Sequence, residues 1–159
     1  MTLFKGTALT LMIITSGLSA GLLCAFAYSV MPALNRTKPD ASVAVMQRVN
    51  TVILNPVFAV IFFGGALFGA VSSVLWRNDE LRWWVLAGFV LVLAGIVVTM
   101  AINVPANGRL AAAGDVTDAD ATRVWADFVG VWVRWNIIRA VLTTAGFALP
   151  VVGLVVTRP

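Results

Sequence analysis

Arg139 is the residue in this chain with the least obvious reason to be where it is. It follows Trp132, Trp135 and Asn136 at helical spacings, so the four side chains share one side of a helix. If that helix ends near Thr157, about 20 residues counted back put the membrane boundary near Ile137, and Arg139 just inside it. A charge there costs about 2.5–3.5 kcal/mol at mid-bilayer and less near the edge. Two readings stay open: a guanidinium facing the bundle interior with partners, or one that snorkels to headgroups. Arg134, off that face, is expected at the headgroups.

Carboxamides gather at the same face. Asn35, Asn50, Asn55, Asn103, Asn107 and Asn136 all fall at helix ends on the side of the long connections, and only Asn78 lies elsewhere. Asn103 sits inside the apolar run Val97–Val104, which points to a pocket or an interhelical hydrogen bond. Asn55 precedes Pro56, and a helix N-cap explains it as well as a site role does. Tyr28, the sole tyrosine, is one turn before Pro32 and is a further candidate for the same pocket. Arg139, Asn136 and Asn103 are the candidate polar groups of that pocket. Trp132 and Trp135 could supply flat aromatic surface, and Asn107, Asn50, Asn55 and Tyr28 would complete a binding wall.

Other chemistries are excluded. Histidine is absent and Cys24 is the lone cysteine, so the chain alone builds no disulfide and no Cys/His zinc, haem or iron–sulfur site. No metal site is expected, and Cys24, among apolar neighbours, reads as a packed thiol. The seven acids all fall in connections, and Asp115, Asp118, Asp120 and Asp127 read mostly as cap and solvated-face residues. A general base is therefore hard to name: Asp127, shortly before Trp132, is the nearest acid, and water or Tyr28 are the alternatives.

The elements that hold these groups are apolar helices. Of the 159 residues, 60% are hydrophobic and 11% charged, with mean hydropathy +0.96. A soluble domain carries about 25% charged residues, so lipid must be the solvent. Runs near 7–34, 52–76, 83–104 and 129–157 are long enough to cross roughly 30 Å of hydrocarbon with about 20 residues each. The fold expected is all-α: one membrane domain over residues 1–159, a four-helix transmembrane bundle. The first run, with only Lys5 before it, is too long for an ordinary signal peptide and is expected to be retained.

Trp76, Trp83 and Trp84 flank the short connection at one face, and Trp125, Trp132 and Trp135 cluster at the other, as interfacial tryptophans do. The long connections each carry an amphipathic helix, one from Asp40 to Val49 after Pro39. The other opens at Thr117-Asp118-Ala119-Asp120, which resembles a capping box. Pro32 and Pro105 are expected to end their helices. Gly17-x-x-x-Gly21 and Gly65-x-x-x-Gly69 offer smooth surfaces for close packing within the bundle.

The chain also reads as two copies of one unit. Met31-Pro32-Ala33-Leu34-Asn35-Arg36 and Val104-Pro105-Ala106-Asn107-Gly108-Arg109 close the first and third spans, which predicts a twofold internal repeat. A net charge of +4 is ordinary beside anionic headgroups and calls for no nucleic acid. The expected setting is multi-pass, in a bacterial inner (cytoplasmic) membrane. Basic residues divide almost evenly between the faces, and the expectation of both termini inside rests on little asymmetry. Association with a second copy or a membrane partner subunit stays open.

Three segments resemble the anthrone oxygenase family: Val49-Asn50 with Leu54-Asn55-Pro56, then Asn103-Val104-Pro105-Ala106-Asn107, then Trp132-x-x-Trp135-Asn136-x-x-Arg139. The resemblance covers nearly the whole chain, including span number and connection lengths. It implies a small four-helix membrane protein whose characterised relatives oxidise anthrones to anthraquinones. It implies an electron-rich enolate that reacts with dioxygen without metal or flavin, with Arg139, Asn136, Asn103 and Asn107 supplying charge and amide donors to the developing oxyanion, so no cofactor is expected. Read this way, the chain is a membrane oxidoreductase for a hydrophobic aromatic, anthrone- or quinone-type compound. The alternative is a non-catalytic membrane protein holding a lipid, quinone or partner subunit in the same pocket.

Overall fold

Apolar runs of this length satisfy their backbone polar groups only by closing into helices in lipid, and helices account for every regular element among residues 2–157, which the computed structural model describes. Arg158, one of the basic residues divided between the two faces, lies outside them. The helices are α1 (Thr2–Ala25), π1 (Phe26–Val30), α2 (Met31–Leu34), α3 (Pro39–Val52) and α4 (Pro56–Leu75). They continue with α5 (Arg82–Val98), π2 (Thr99–Asn103), α6 (Val104–Ala112) and α7 (Asp118–Thr157). Four continuous stretches, Leu3–Leu34, Pro56–Leu75, Arg82–Ala112 and Ala119–Thr157, are long and apolar enough to cross a membrane. The protein is an integral, multi-pass four-helix bundle.

Neither Pro32 nor Pro105 ends its helix, contrary to expectation. Proline lacks an N–H, and its ring clashes with the carbonyl four residues back. Both helices widen before it into a π turn, in which hydrogen bonds run to the fifth residue. Met31 N–H donates to Phe26 O, and Val104 N–H to Thr99 O. Each π segment has five residues and stops two positions short of the proline. The two π segments share this register, and the third helix runs on to Ala112 rather than ending at Val104.

Close packing follows from small residues. A Cβ on Gly88 would lie 2.8 Å from the Gly146 carbonyl oxygen and 2.9 Å from Pro150 Cδ. Pro150 sits inside α7 and cannot bond that Gly146 carbonyl, so α5 can approach it. On the other side, Gly64 and Gly65 of α4 admit Thr15 and Ser16 of α1. Gly65 and Gly69 both serve such contacts, and Gly17 meets Phe147, but Gly21 has nothing within 4 Å.

The start of α1, the end of α7 and the short loop share one face. Trp76 Nε1 donates to Lys5 O at 3.3 Å, and the Lys5 ammonium lies 4.5 Å from the Trp76 ring centre. At the opposite face the connections build a folded layer. Ser42 Oγ donates to Leu34 O at 2.7 Å, tying α3 to the end of the first span. Gln47 Nε2 donates to Leu110 O and Gly114 O, at 2.8 and 3.0 Å. Both carbonyls lie where α6 ends, Leu110 O also accepting from Ala113 N–H at 3.3 Å, with Gly114 in the left-handed conformation (φ 63°) that such an end favours. The amphipathic segment of the third connection is the opening of α7 itself, continuous with the fourth span. Asp120 there pairs with Arg123 on the exposed face, at 3.0 Å.

Trp125 and Trp132 are not interfacial residues turned to lipid; both are buried with Met31, Val43, Met46 and Leu110. Their indole N–H groups need partners there. Trp125 Nε1 donates to Asn35 Oδ1 at 3.2 Å and Trp132 Nε1 to Asn107 Oδ1 at 2.8 Å. Two of the clustered asparagines are thus tryptophan acceptors. Cys24 packs as expected, half-buried, with its sulfur 3.7 Å from Thr144 Oγ1.

Candidate functional site

The inner side of α7 is a stripe of buried residues at helical spacing, Trp132, Asn136, Arg139 and Thr143, which turns its polar groups towards the other spans. Arg139 is only 7% exposed, so it does not snorkel. Its guanidinium is held on three sides. Nε and Nη2 both donate to Asn136 Oδ1, at 3.2 and 3.0 Å, and Nη1 donates to Thr99 Oγ1 at 3.1 Å. The face of Trp132 lies 5.2 Å away, a cation–π distance. Asn136 is in turn anchored by donating to Leu23 O at 3.0 Å. Three spans therefore fix one cation.

Beside that cation lies a cavity of about 730 Å³, within the range of roughly 300–1,000 Å³ typical of small-molecule sites. Leu23 and Phe26 line it from the first span, Phe58 and Phe62 from α4, and Trp132 and Arg139 from α7. Asn50 and Asn55 contribute from the end of α3 and the start of α4, and Asn107 from α6. The walls are mostly apolar, with the guanidinium as their one charge among the described residues. Phe63, Met100 and Val104 line the cavity and are also exposed on the bundle surface. The cavity is therefore open sideways, where lipid would be.

The residues that build this cavity fall largely within one recognisable stretch. A family model described as anthrone oxygenase matches residues 46–149, about two thirds of the chain. The chain belongs to the anthrone oxygenase family. No curated protein and no solved structure matches it. The family stretch supplies Asn50, Asn103, Asn107, Trp132, Asn136 and Arg139, whereas Leu23 and Phe26 come from the helix before it.

Within the bundle the residues expected at the site take different places. Arg139, Trp132, Asn107, Asn50 and Asn55 border the cavity. Asn136 and Asn103 are fully buried behind it; Asn103 Nδ2 donates to Trp132 O at 3.2 Å, while its Oδ1 is buried without a partner. Asn55 is the N-cap of α4, accepting from Phe58 N–H at 3.0 Å and donating to Val52 O at 3.0 Å. Asn50 Nδ2 is buried and has no partner.

Two expected wall residues stand apart. Tyr28, in π1, is 75% exposed and outside the cavity. Trp135 is half-buried and also outside it, since it sits to one side of the Trp132–Asn136–Arg139 stripe. Asp127 is exposed and borders a separate small groove with Arg109 and Val124. Arg134 is exposed, as its place on the wheel required.

Sequence reasoning overlooked Thr99, which bonds both Arg139 and, through the same hydroxyl, Gly95 O at 2.9 Å. Its position one turn before Asn103 was the available signal. The Leu23 carbonyl and the phenylalanine walls carried none, because backbone acceptors and apolar side chains look alike throughout a membrane span.

Proposed function

We propose that the protein is a membrane oxygenase that converts an anthrone-type compound to the corresponding quinone with dioxygen. The observation that carries this reading is a guanidinium held by three neutral groups at the wall of a laterally open, mostly aromatic and aliphatic cavity. A flat, greasy ring system would reach it from the bilayer and lie against Trp132 and Phe62. Its ketone oxygen would meet Arg139.

Loss of a proton from the ring CH₂ puts negative charge on that oxygen, and a prepositioned cation in a low-dielectric site stabilises the enolate more than the ketone. The enolate carbon then bonds dioxygen. After protonation, the peroxide loses water to leave the second carbonyl, so one dioxygen becomes one quinone oxygen and one water. Among the described residues no carboxylate lines the cavity, and the first proton passes to water. That same lack favours a second reading, in which the protein holds such a compound without turning it over.

The test is direct. Purified protein is mixed with anthrone under air, with quinone absorbance and oxygen uptake followed together. Quinone forming faster than in matched empty detergent, with one oxygen consumed per quinone, supports the oxygenase; saturable binding with only the background rate supports the holding protein.

A further inference from the structure

We propose that the cavity also binds a single-tailed amphiphilic anion from the bilayer, its oxyanion head on Arg139 and its tail along the apolar wall. This inference uses the same cavity but does not depend on the oxidation chemistry. It begins from charge. Arg139 is buried, and each of its contacts is neutral: the Asn136 carboxamide oxygen, the Thr99 hydroxyl and the Trp132 ring. A buried charge without an opposite partner is strongly disfavoured, so an anion that arrives there gains more than it would at the surface.

The donor inventory agrees. A guanidinium carries five N–H groups. Three bonds are made, one each from Nε, Nη1 and Nη2, which leaves one N–H on each terminal nitrogen. Such a pair suits two oxygens of one carboxylate or phosphate. Lysine in this position would lack that fork.

Shape supplies the tail. Ala59, Phe63, Met100 and Val104 line the cavity and are exposed on the side of the bundle, so an acyl chain could pass between lipid and cavity without crossing water. A small hydrated ion would gain nothing from these walls. The shared chemistry is an oxyanion on an alkyl chain, whose head is either a free carboxylate or a lipid phosphate.

The test uses the full chain in nanodiscs of zwitterionic phosphatidylcholine, with radiolabelled oleate binding measured above that of empty discs. A single saturable site is expected, competed by unlabelled oleate and weakened about tenfold or more for oleyl alcohol, which lacks the charge. Competition by dodecyl phosphate or lysophosphatidylglycerol would extend the head to phosphate; its absence would restrict it to carboxylate. Arg139→Gln, and independently Asn136→Asp, which sets a carboxylate beside the guanidinium, are both expected to lose the preference for oleate over the alcohol. Equal competition by oleyl alcohol in the wild type overturns the proposal, as does equal competition by inorganic phosphate or wild-type preference in both variants. The assay reads binding alone, so its failure and a failure of anthrone oxidation are separate results.

Discussion

The carboxamide oxygen of Asn136 accepts from both Nε and Nη2 of Arg139, less than one turn further along the same helix, at 3.2 and 3.0 Å. Its amide nitrogen donates across the bundle to Leu23 O. Asn136 therefore connects the cation to the first span, and does so without neutralising it. Asn136→Ala leaves those buried donors without their acceptor, at about 1–3 kcal/mol. Thermal unfolding in detergent should show that loss, and quinone formation per folded protein should fall by about tenfold or more as the guanidinium loses its fixed aim.

Asp127 was the nearest acid to the site in sequence, yet its exposed side chain borders a different groove. Asp127→Asn is accordingly expected to leave both rate and pH profile of anthrone oxidation unchanged. A large drop in rate would make it the base and redraw the proton's route.

Asn55 caps α4 through Phe58 N–H. Replacing such a cap by alanine costs about 1 kcal/mol. Asn55→Ala should lower the unfolding midpoint while keeping KM near the wild-type value, whereas Asn55→Asp, which preserves the cap acceptor, should restore stability. A raised KM in both variants would instead mean that the residue touches substrate.

The bundle's close contacts can be separated from its loose ones. Gly88 faces the Gly146 carbonyl oxygen, at 2.8 Å from where a Cβ would sit, but Gly130 has nothing within 4 Å. Gly88→Ala should destabilise by about 1–3 kcal/mol through overpacking. Gly130→Ala should be neutral or stabilising by up to about 1 kcal/mol, since alanine is the better helix former. Paired melting curves decide it.

Much of this arrangement is written locally. The four spans follow from apolar runs, and the stripe of Trp132, Asn136 and Arg139 follows from helical period alone. Where sequence reading failed, a longer-range effect decided the outcome. Proline signals a stop, but Pro32 and Pro105 sit just after π turns that absorb the clash, and no local rule foretold them. Tyr28 lies within such a turn, where the changed helical register makes a face count unreliable; it points outward. Trp125 and Trp132 read as interfacial because tryptophan favours interfaces. The folding of α3 and α6 over them, held by Gln47, buries them instead. Thr99 became a ligand of Arg139 only once two spans were brought together.

Central to the functional reading is that Arg139 stabilises negative charge on the bound ring system. The most direct measurement is the rate of quinone formation from anthrone by Arg139→Gln beside wild type, in the same detergent and normalised to folded protein. Removing a prepositioned oxyanion partner should slow the reaction by about 10²–10³-fold. Equal rates in the two proteins would contradict it.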